Sequence, residues 1–524
     1  MSLSCGLHFC MSEGSRPRPR YSEIEESCSL ALDQQKEGVT ASEETKDLTQ
    51  SQLVRGGSSL PREEISVHRL AQFVVDASFE DLSDAARREL KIRVLDALGC
   101  AIGALNGEPI RMLRALLKDF GGAPYCTLIG GGRTAPDHAA LYNGALVRYL
   151  DFNDSYLAKG ETCHPNDNVG AVLAAAEYGK AKGRDFLLAL AVAYQVQCRL
   201  SDVAPVRSKG FDHTTQGAYA AAAGVSKALG LDEAKTANAI AISGTALNAL
   251  RVTRTGKLSH WKGLAYPFTG FGATEAAFMA MRGISGPQEV FEGNKGFMDS
   301  IAGRFQIEWS KENLERVTRT ILKKYNAEVH SQSTIEGILE LRAEYGFAAE
   351  EIERIDLETF DVAYNIIGGG EEGEKTHIRT KEEADHSLPY IVAVAILDGQ
   401  VMPEQYYPNR IVKDDAQQLL RRVNVRPRLD FSARFPQEMP THITVHLKNG
   451  RVMEKEKHDY EGFFTRPMSW DRAAEKFNSL SQRYVGTKLR RRIVDAVADL
   501  EGINVTHLTK LLGRIRTPTK RDKY

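Results

Sequence analysis

From Ser66 to about Asn326 the chain runs through one segment after another that is dense in Ala and Gly and carries apolar residues at helical spacing. Examples are NVGAVLAAAEYGKAKG (168–183), DFLLALAVAYQVQCRL (185–200), GAYAAAAGVSKALG (217–230) and DEAKTANAIAISGTALNAL (232–250). Apolar residues recurring every three to four positions define helices with a buried face, and small side chains let such helices approach closely. The boundaries are written in too: Ser83 stands where an N-cap belongs, and the run from Gly230 to Glu233 reads as a helix stop followed by a start. After about Asn326 the texture changes. Residues 352–360 and 441–460 read as strands, the latter as a hairpin turned at Asn449-Gly450, and helices such as SLPYIVAVAILDG lie between them. From Ser469 the chain returns to helix. The expected fold is mostly α: a large all-helical domain (66–325 and 469–512), interrupted by a smaller α+β domain (326–468), with an active site in the cleft between them.

Residues 1–63, rich in Ser, Glu, Gln and Gly, are expected to be a disordered tail, and 513–524 a short basic one. The RPRPR run at 16–20 is followed by acidic residues from Glu23 to Glu26, which argues against an acid-poor targeting leader. With 68 Lys+Arg against 69 Asp+Glu, a net charge of -1 gives no reason to expect nucleic acid or an anionic membrane as partner. No apolar run approaches the length of a membrane span. The seven Cys show no Cys-x-x-Cys spacing, which reads as reduced thiols and excludes a closely spaced iron–sulfur ligand set. A cytoplasmic location is expected, or a mitochondrial one in a eukaryote. Cys163 is expected to be a small core filler. GFGATEAAF (270–278) lacks the third Gly of a dinucleotide loop, and IGGGRT (129–134) and IGGGEEGEK (367–375) lack the Gly-Lys-Ser/Thr of a phosphate loop. The latter two are read as turns. No metal-ligand spacing is apparent, so neither metal nor organic cofactor is expected.

The densest concentration of chemistry is DFNDSYLAKGETCHPNDN (151–168). If its start is helical, Asp151, Asp154 and Ser155 share one face, and His164 lies in a loop able to fold back over it. A carboxylate, a hydroxyl and an imidazole together suit proton abstraction beside a carboxylate. His213 precedes a Gly/Ala-rich helix whose N-terminus favours anions. Tyr364 falls just past a strand, where a phenol can reach across a cleft, and His386 precedes another helix.

Six motifs in order, LDALGCAIGAL (95–105), the 151–168 segment, GFDHTTQGAYAAAA (210–223), RTGKLSHWKG (254–263), AEVHSQS (327–333) and EADHSLPYIVAVAILDG (383–399), closely resemble the MmgE/PrpD family. That family includes 2-methylcitrate dehydratases and cis-aconitate decarboxylases. The resemblance runs from about Val67 to about Leu512 and implies a metal-free lyase, a hydro-lyase removing water from a tricarboxylate such as 2-methylcitrate, and a homodimer. Cis-aconitate decarboxylation, another dehydration or isomerisation, or a non-catalytic polycarboxylate-binding protein are the alternatives. Asp151, His164, His213, Lys257 and Tyr364 are the expected catalytic residues. Asp154, Ser155, Lys262, Lys323, His330 and His386 are expected to bind substrate. Lys257 and Lys323 enter because they match family lysines; Lys262 and Lys324 are their respective rivals.

Overall fold

The computed structural model describes residues 65–516, so the expected N-terminal tail and the chain from 517 onward lie outside the described residues. Among the described residues the protein is mostly helical, with strands confined to small sheets.

One hydrophobic core is built from helices Asp84–Gly103, Pro136–Tyr149, Val169–Tyr178, Gly183–Val203, Thr214–Leu229, Glu233–Ala246 and Trp261–Met281. Their caps follow the sequence. The Ser83 hydroxyl accepts from the backbone N–H of Ala86 (3.1 Å) and the Asp232 carboxylate from that of Lys235 (2.9 Å). Small residues set the crossings. A Cβ on Gly170 would lie 2.5 Å from the backbone nitrogen of Gly144, so only glycine admits this approach. The C-terminal helix Trp470–Ser481 packs on Asp84–Gly103 through the fully buried Phe477, a burial that stabilises by roughly 1.5–3 kcal/mol. Its Lys476 pairs with Asp96 (2.7 Å) and donates to the carbonyls of Phe152 and Lys323 (2.8 Å each). It thereby ties three distant segments together behind the site.

A second core begins at Ala327 and reaches Met453. Its four-stranded sheet runs in the order Val423–Pro427, Ile352–Thr359, Thr441–Leu447, Val452–Lys457, the first pair parallel and the others antiparallel. Thr441–Leu447 alternates buried and half-buried residues, the period of a strand with one covered face. Helix Gln332–Tyr345 packs against the last two strands and helix Leu388–Asp398 against Val423–Pro427. The edge strand Val423–Pro427 has no counterpart in the sequence reading: it is short, mostly exposed and ends in Pro, so it carries no apolar alternation.

The start of the 151–168 segment is not helical. Helix Pro136–Tyr149 ends just before it, Asp151 takes a left-handed φ of 54°, and the chain then forms a hairpin from Tyr156–Ala158 and Glu161–Cys163. Asp151, Asp154 and Ser155 therefore do not share a helix face. The buried interactions described below override local helical spacing.

Candidate active site

Where the two cores meet, a buried cavity is lined by Arg148, Asp151, Glu161, His164, Arg207, His213, Arg251 and Arg254 from the helical side. Lys323, Glu328, His330, Ile366, Glu372 and His386 close it from the other.

Asp151 is its electrostatic hub. Oδ1 accepts from Arg148 Nη1 and Lys323 Nζ (2.7 Å each), while Oδ2 lies 3.2 Å from Lys262 Nζ and 3.8 Å from His386 Nε2. Burial pushes its pKa up, but Arg148, Lys323, Lys262 and His386 together hold the carboxyl well below its ordinary range. Asp151 is thus a permanent anion that fixes cations in place, and it is poorly suited to accept a proton. Its left-handed backbone is the kind of local strain that surrounding structure must hold. Lys262 Nζ also contacts Asp385 Oδ1 (2.9 Å) and His386 Nδ1 (2.9 Å). Asp151, Asp385 and His386 present donor atoms close enough together for a metal, a grouping that sequence spacing did not reveal. The ammonium of Lys262, however, stands among those atoms, so a divalent cation would meet its charge as well as those of Lys323 and Arg148.

His164, His213, His330 and His386 bring titratable rings to the same cavity. His164 Nδ1 lies 2.7 Å from the Asp154 carbonyl and 3.0 Å from Ser155 Oγ. A carbonyl only accepts, so Nδ1 carries the hydrogen and Nε2 offers its lone pair. Burial, then Arg148 and Lys323, depress the His164 pKa well below 6.5 and keep it neutral. His213 sits edge-on to it, with ring centroids 5.4 Å apart, and stacks on Tyr266 (6.1 Å). Tyr266 crosses the start of helix Thr214–Leu229 so closely that a Cβ on Gly217 would fall 2.4 Å from its ring. Burial drives His213 down to about 3, and both its ring nitrogens are buried without a hydrogen-bond partner. His330 Nδ1 pairs with Glu328 Oε1 (2.7 Å), and its Nε2 is likewise unpartnered. Burial raises Glu328, but the His330 charge and hydrogen bond outweigh this and bring it to about 2. Buried polar atoms left unpaired are costly, and at a cavity wall they are places for a ligand.

The other expected residues fall in different places. Asp154 is buried behind the cavity, where it accepts from the Asn166 N–H (2.9 Å) and Tyr194 OH (2.7 Å); burial raises its pKa to about 6. Ser155 pairs with Ile321 through two backbone hydrogen bonds as well as contacting His164. Lys324 turns away to Glu336 and Glu461, which leaves Lys323 as the site lysine. Lys257 is exposed and outside the cavity lining; its rival Lys262 does not line the cavity either, but is buried against Asp151, Asp385 and His386, which positions two residues that do. Tyr364 is half-buried against its own Gly368–Gly370 turn and does not line the cavity, although Ile366 of the same turn does. Cys163 is fully buried beside Tyr156, Ala158 and Cys198. Lys257→Ala is accordingly expected to change kcat and KM by less than about threefold, as for an exposed side chain away from special contacts; a KM increase of tenfold or more in steady-state assays would return Lys257 to the site.

Arg148, Arg207, Arg251, Arg254, Glu328, Asp385 and Glu372 were not found by sequence reasoning. Three signals were present in hindsight. Arg148 stands three residues before Asp151, the RVTR run (251–254) ends on the first residue of the RTGKLSHWKG motif, and Glu328 lies inside AEVHSQS. Nothing local distinguishes Arg207 or Glu372 from surface charges.

Two family models match in tandem, the MmgE/PrpD N-terminal domain over residues 68–310 and the MmgE/PrpD C-terminal domain over residues 325–501. The chain belongs to the MmgE/PrpD family. It is 27% identical to the 2-methylcitrate dehydratase of Escherichia coli K12 over 78% of this chain and 88% of that protein. It is 24% identical to the cis-aconitate decarboxylase of Mus musculus over 82% and 90%. It is 25% identical to the mitochondrial 2-methylcitrate dehydratase of Yarrowia lipolytica over 76% and 80%. Among the described residues, no helix is long and apolar enough to cross a membrane.

Proposed function

We propose that this protein is a polycarboxylate lyase, and specifically a dehydratase that removes water from 2-methylcitrate to give 2-methyl-aconitate in propionate breakdown by the methylcitrate pathway. The observation that carries this reading is the convergence of Arg148, Arg207, Arg251, Arg254 and Lys323 with the free ring nitrogens of His213 and His330 on one buried cavity. Cationic side chains recognise carboxylates, in the arginine case through paired N–H donors. They also stabilise the enolate-like charge that develops when the α-proton leaves, most strongly in a water-poor site.

In this reading His164 Nε2 takes the proton α to a carboxylate. Lys323 and the arginines hold the charge on that carboxylate, and His330, oriented through Nδ1 by Glu328, gives a proton from Nε2 to the departing hydroxyl. A C–H bond and a C–O bond break, a C=C bond forms, and water leaves. Cis-aconitate decarboxylation is the second reading, supported by the mouse relative spanning 82% of this chain. It would use the same cations and return a proton to the carbanion left by carbon dioxide. Incubating purified protein with 2-methylcitrate, citrate and cis-aconitate, and following alkene absorbance and carbon dioxide release, separates the readings. No turnover of any of the three, despite binding, would leave a polycarboxylate-binding protein.

The chemistry proposed here runs on protein groups, with Lys262 where a metal would have to sit. Turnover is expected to survive prolonged chelation and dialysis unchanged. Loss of activity that iron or another divalent ion restores would overturn that expectation.

A further inference from the structure

We infer that Glu372 is an internal carboxylate that occupies a substrate-carboxylate subsite, and that substrate must displace it to enter. The inference rests on the polycarboxylate reading above and adds the residue that gates the same site.

Glu372 Oε1 accepts from Arg251 Nη2 (2.5 Å) and lies 3.4 Å from Arg207 Nη2. The residue is only 8% exposed, so this charge-assisted contact is made out of water. On one side of it lies the inner cavity, with about 40 Å³ of room, enough for a few waters and too little for a tricarboxylate. On the other side lies a wider chamber of about 310 Å³. Glu161, Thr162, Arg207, Arg251 and Glu372 line both spaces, so Glu372 and its two arginines form the partition. The carboxylate rides on a glycine-flanked turn whose Glu372 N–H donates to the Asn365 carbonyl (2.9 Å), a bond that displacement of the side chain would loosen. Gly369 (φ 104°) and Gly373 (φ 93°) flank Glu372 in backbone regions that side chains disfavour, and a Cβ at either would meet open space. Each arginine has a further carboxylate partner: Arg251 also faces Asp212 (3.7 Å), and the backbone N–H of Arg207 donates to Glu161 (3.0 Å).

Exchanging one carboxylate for another on the same arginines gains little. A ligand therefore wins only if a further carboxylate reaches the inner cations, which selects polycarboxylates over monocarboxylates. A latch that keeps the binding-competent state scarce weakens apparent affinity by the same factor.

Tricarballylate, an inert tricarboxylate, tests this by calorimetry on the full-length protein. Glu372→Gln keeps the shape and removes the charge, and is expected to bind it tenfold or more tightly than wild type. Losing a nearby anion would by itself favour anion binding, so a second measurement reads displacement directly. In wild-type protein, tricarballylate is expected to speed amide exchange across residues 368–376, and acetate to leave it unchanged. Equal or weaker binding by Glu372→Gln, or slowed or unaltered exchange under tricarballylate, overturns the gate while leaving the polycarboxylate reading intact. If the variant does not fold, the wild-type exchange result decides alone. If neither protein binds tricarballylate, the polycarboxylate reading falls, and the gate with it.

Discussion

Replacing His164 with Gln is expected to lower turnover by about 10²- to 10⁴-fold, the range for losing a positioned acid or base, with little change in stability. Gln cannot accept a proton, while its amide can still donate to the Asp154 carbonyl that the imidazole contacts at 2.7 Å. Burial and the neighbouring Arg148 and Lys323 place the His164 pKa well below 6.5. The base is then already neutral at pH 7, and kcat/KM of the wild-type enzyme should stay level as pH falls through 6.5. Steady-state kinetics, paired with circular dichroism to confirm folding, check both points. A folded His164→Gln protein within about threefold of wild type would assign proton abstraction elsewhere.

Asp151→Asn is expected to act mainly on stability, lowering it by about 3–5 kcal/mol, because removing one partner of a buried ion pair leaves uncompensated charge. Arg148, Lys323 and Lys262 would face a neutral amide. The backbone is not the cause, since Asn tolerates the left-handed conformation about as well as Asp. The sign with pH follows from the depressed folded pKa: the stabilisation from Asp151 is fully present above the ordinary value of 3.8 and is lost only in stronger acid, as pH falls through the folded value. Comparing urea midpoints at pH 7 measures the effect. If Asp151→Asn is as stable as wild type and loses only turnover, Asp151 is a catalytic group rather than the residue that positions the cations.

Much of this protein could be read from its chain because the relevant forces are local. The helices announced themselves through apolar spacing, Ser83 and Asp232 capped where short polar side chains cap, and Asn449-Gly450 turned a hairpin, with Gly450 at a φ of 85°. His164, His213, Lys323, His330 and His386 lie in or beside motifs of the family, and all five line the cavity. The edge strand Val423–Pro427 escaped notice because its parallel partner is roughly 70 residues away in sequence, and no turn or alternation marks it.

Assignments that depended on which charges meet could not be made from the chain. Spacing put Asp151, Asp154 and Ser155 on one helix face, whereas a left-handed Asp151 held by cations from residues 148, 262 and 323 breaks the helix there. Spacing also could not choose Lys262 over Lys257, or Lys323 over Lys324, since each pair differs only in which side chain the packed cores enclose. A run dismissed as a turn, 367–375, brings Glu372 onto Arg207 and Arg251, which are distant in sequence. By itself the sequence determined the helices, the family and most of the histidines, because periodicity, capping and motif are short-range. Only the tertiary structure decided which charged groups meet and in which direction burial and neighbouring charges move their pKa values, because desolvation and Coulomb interaction depend on distances through space that the order of residues does not contain.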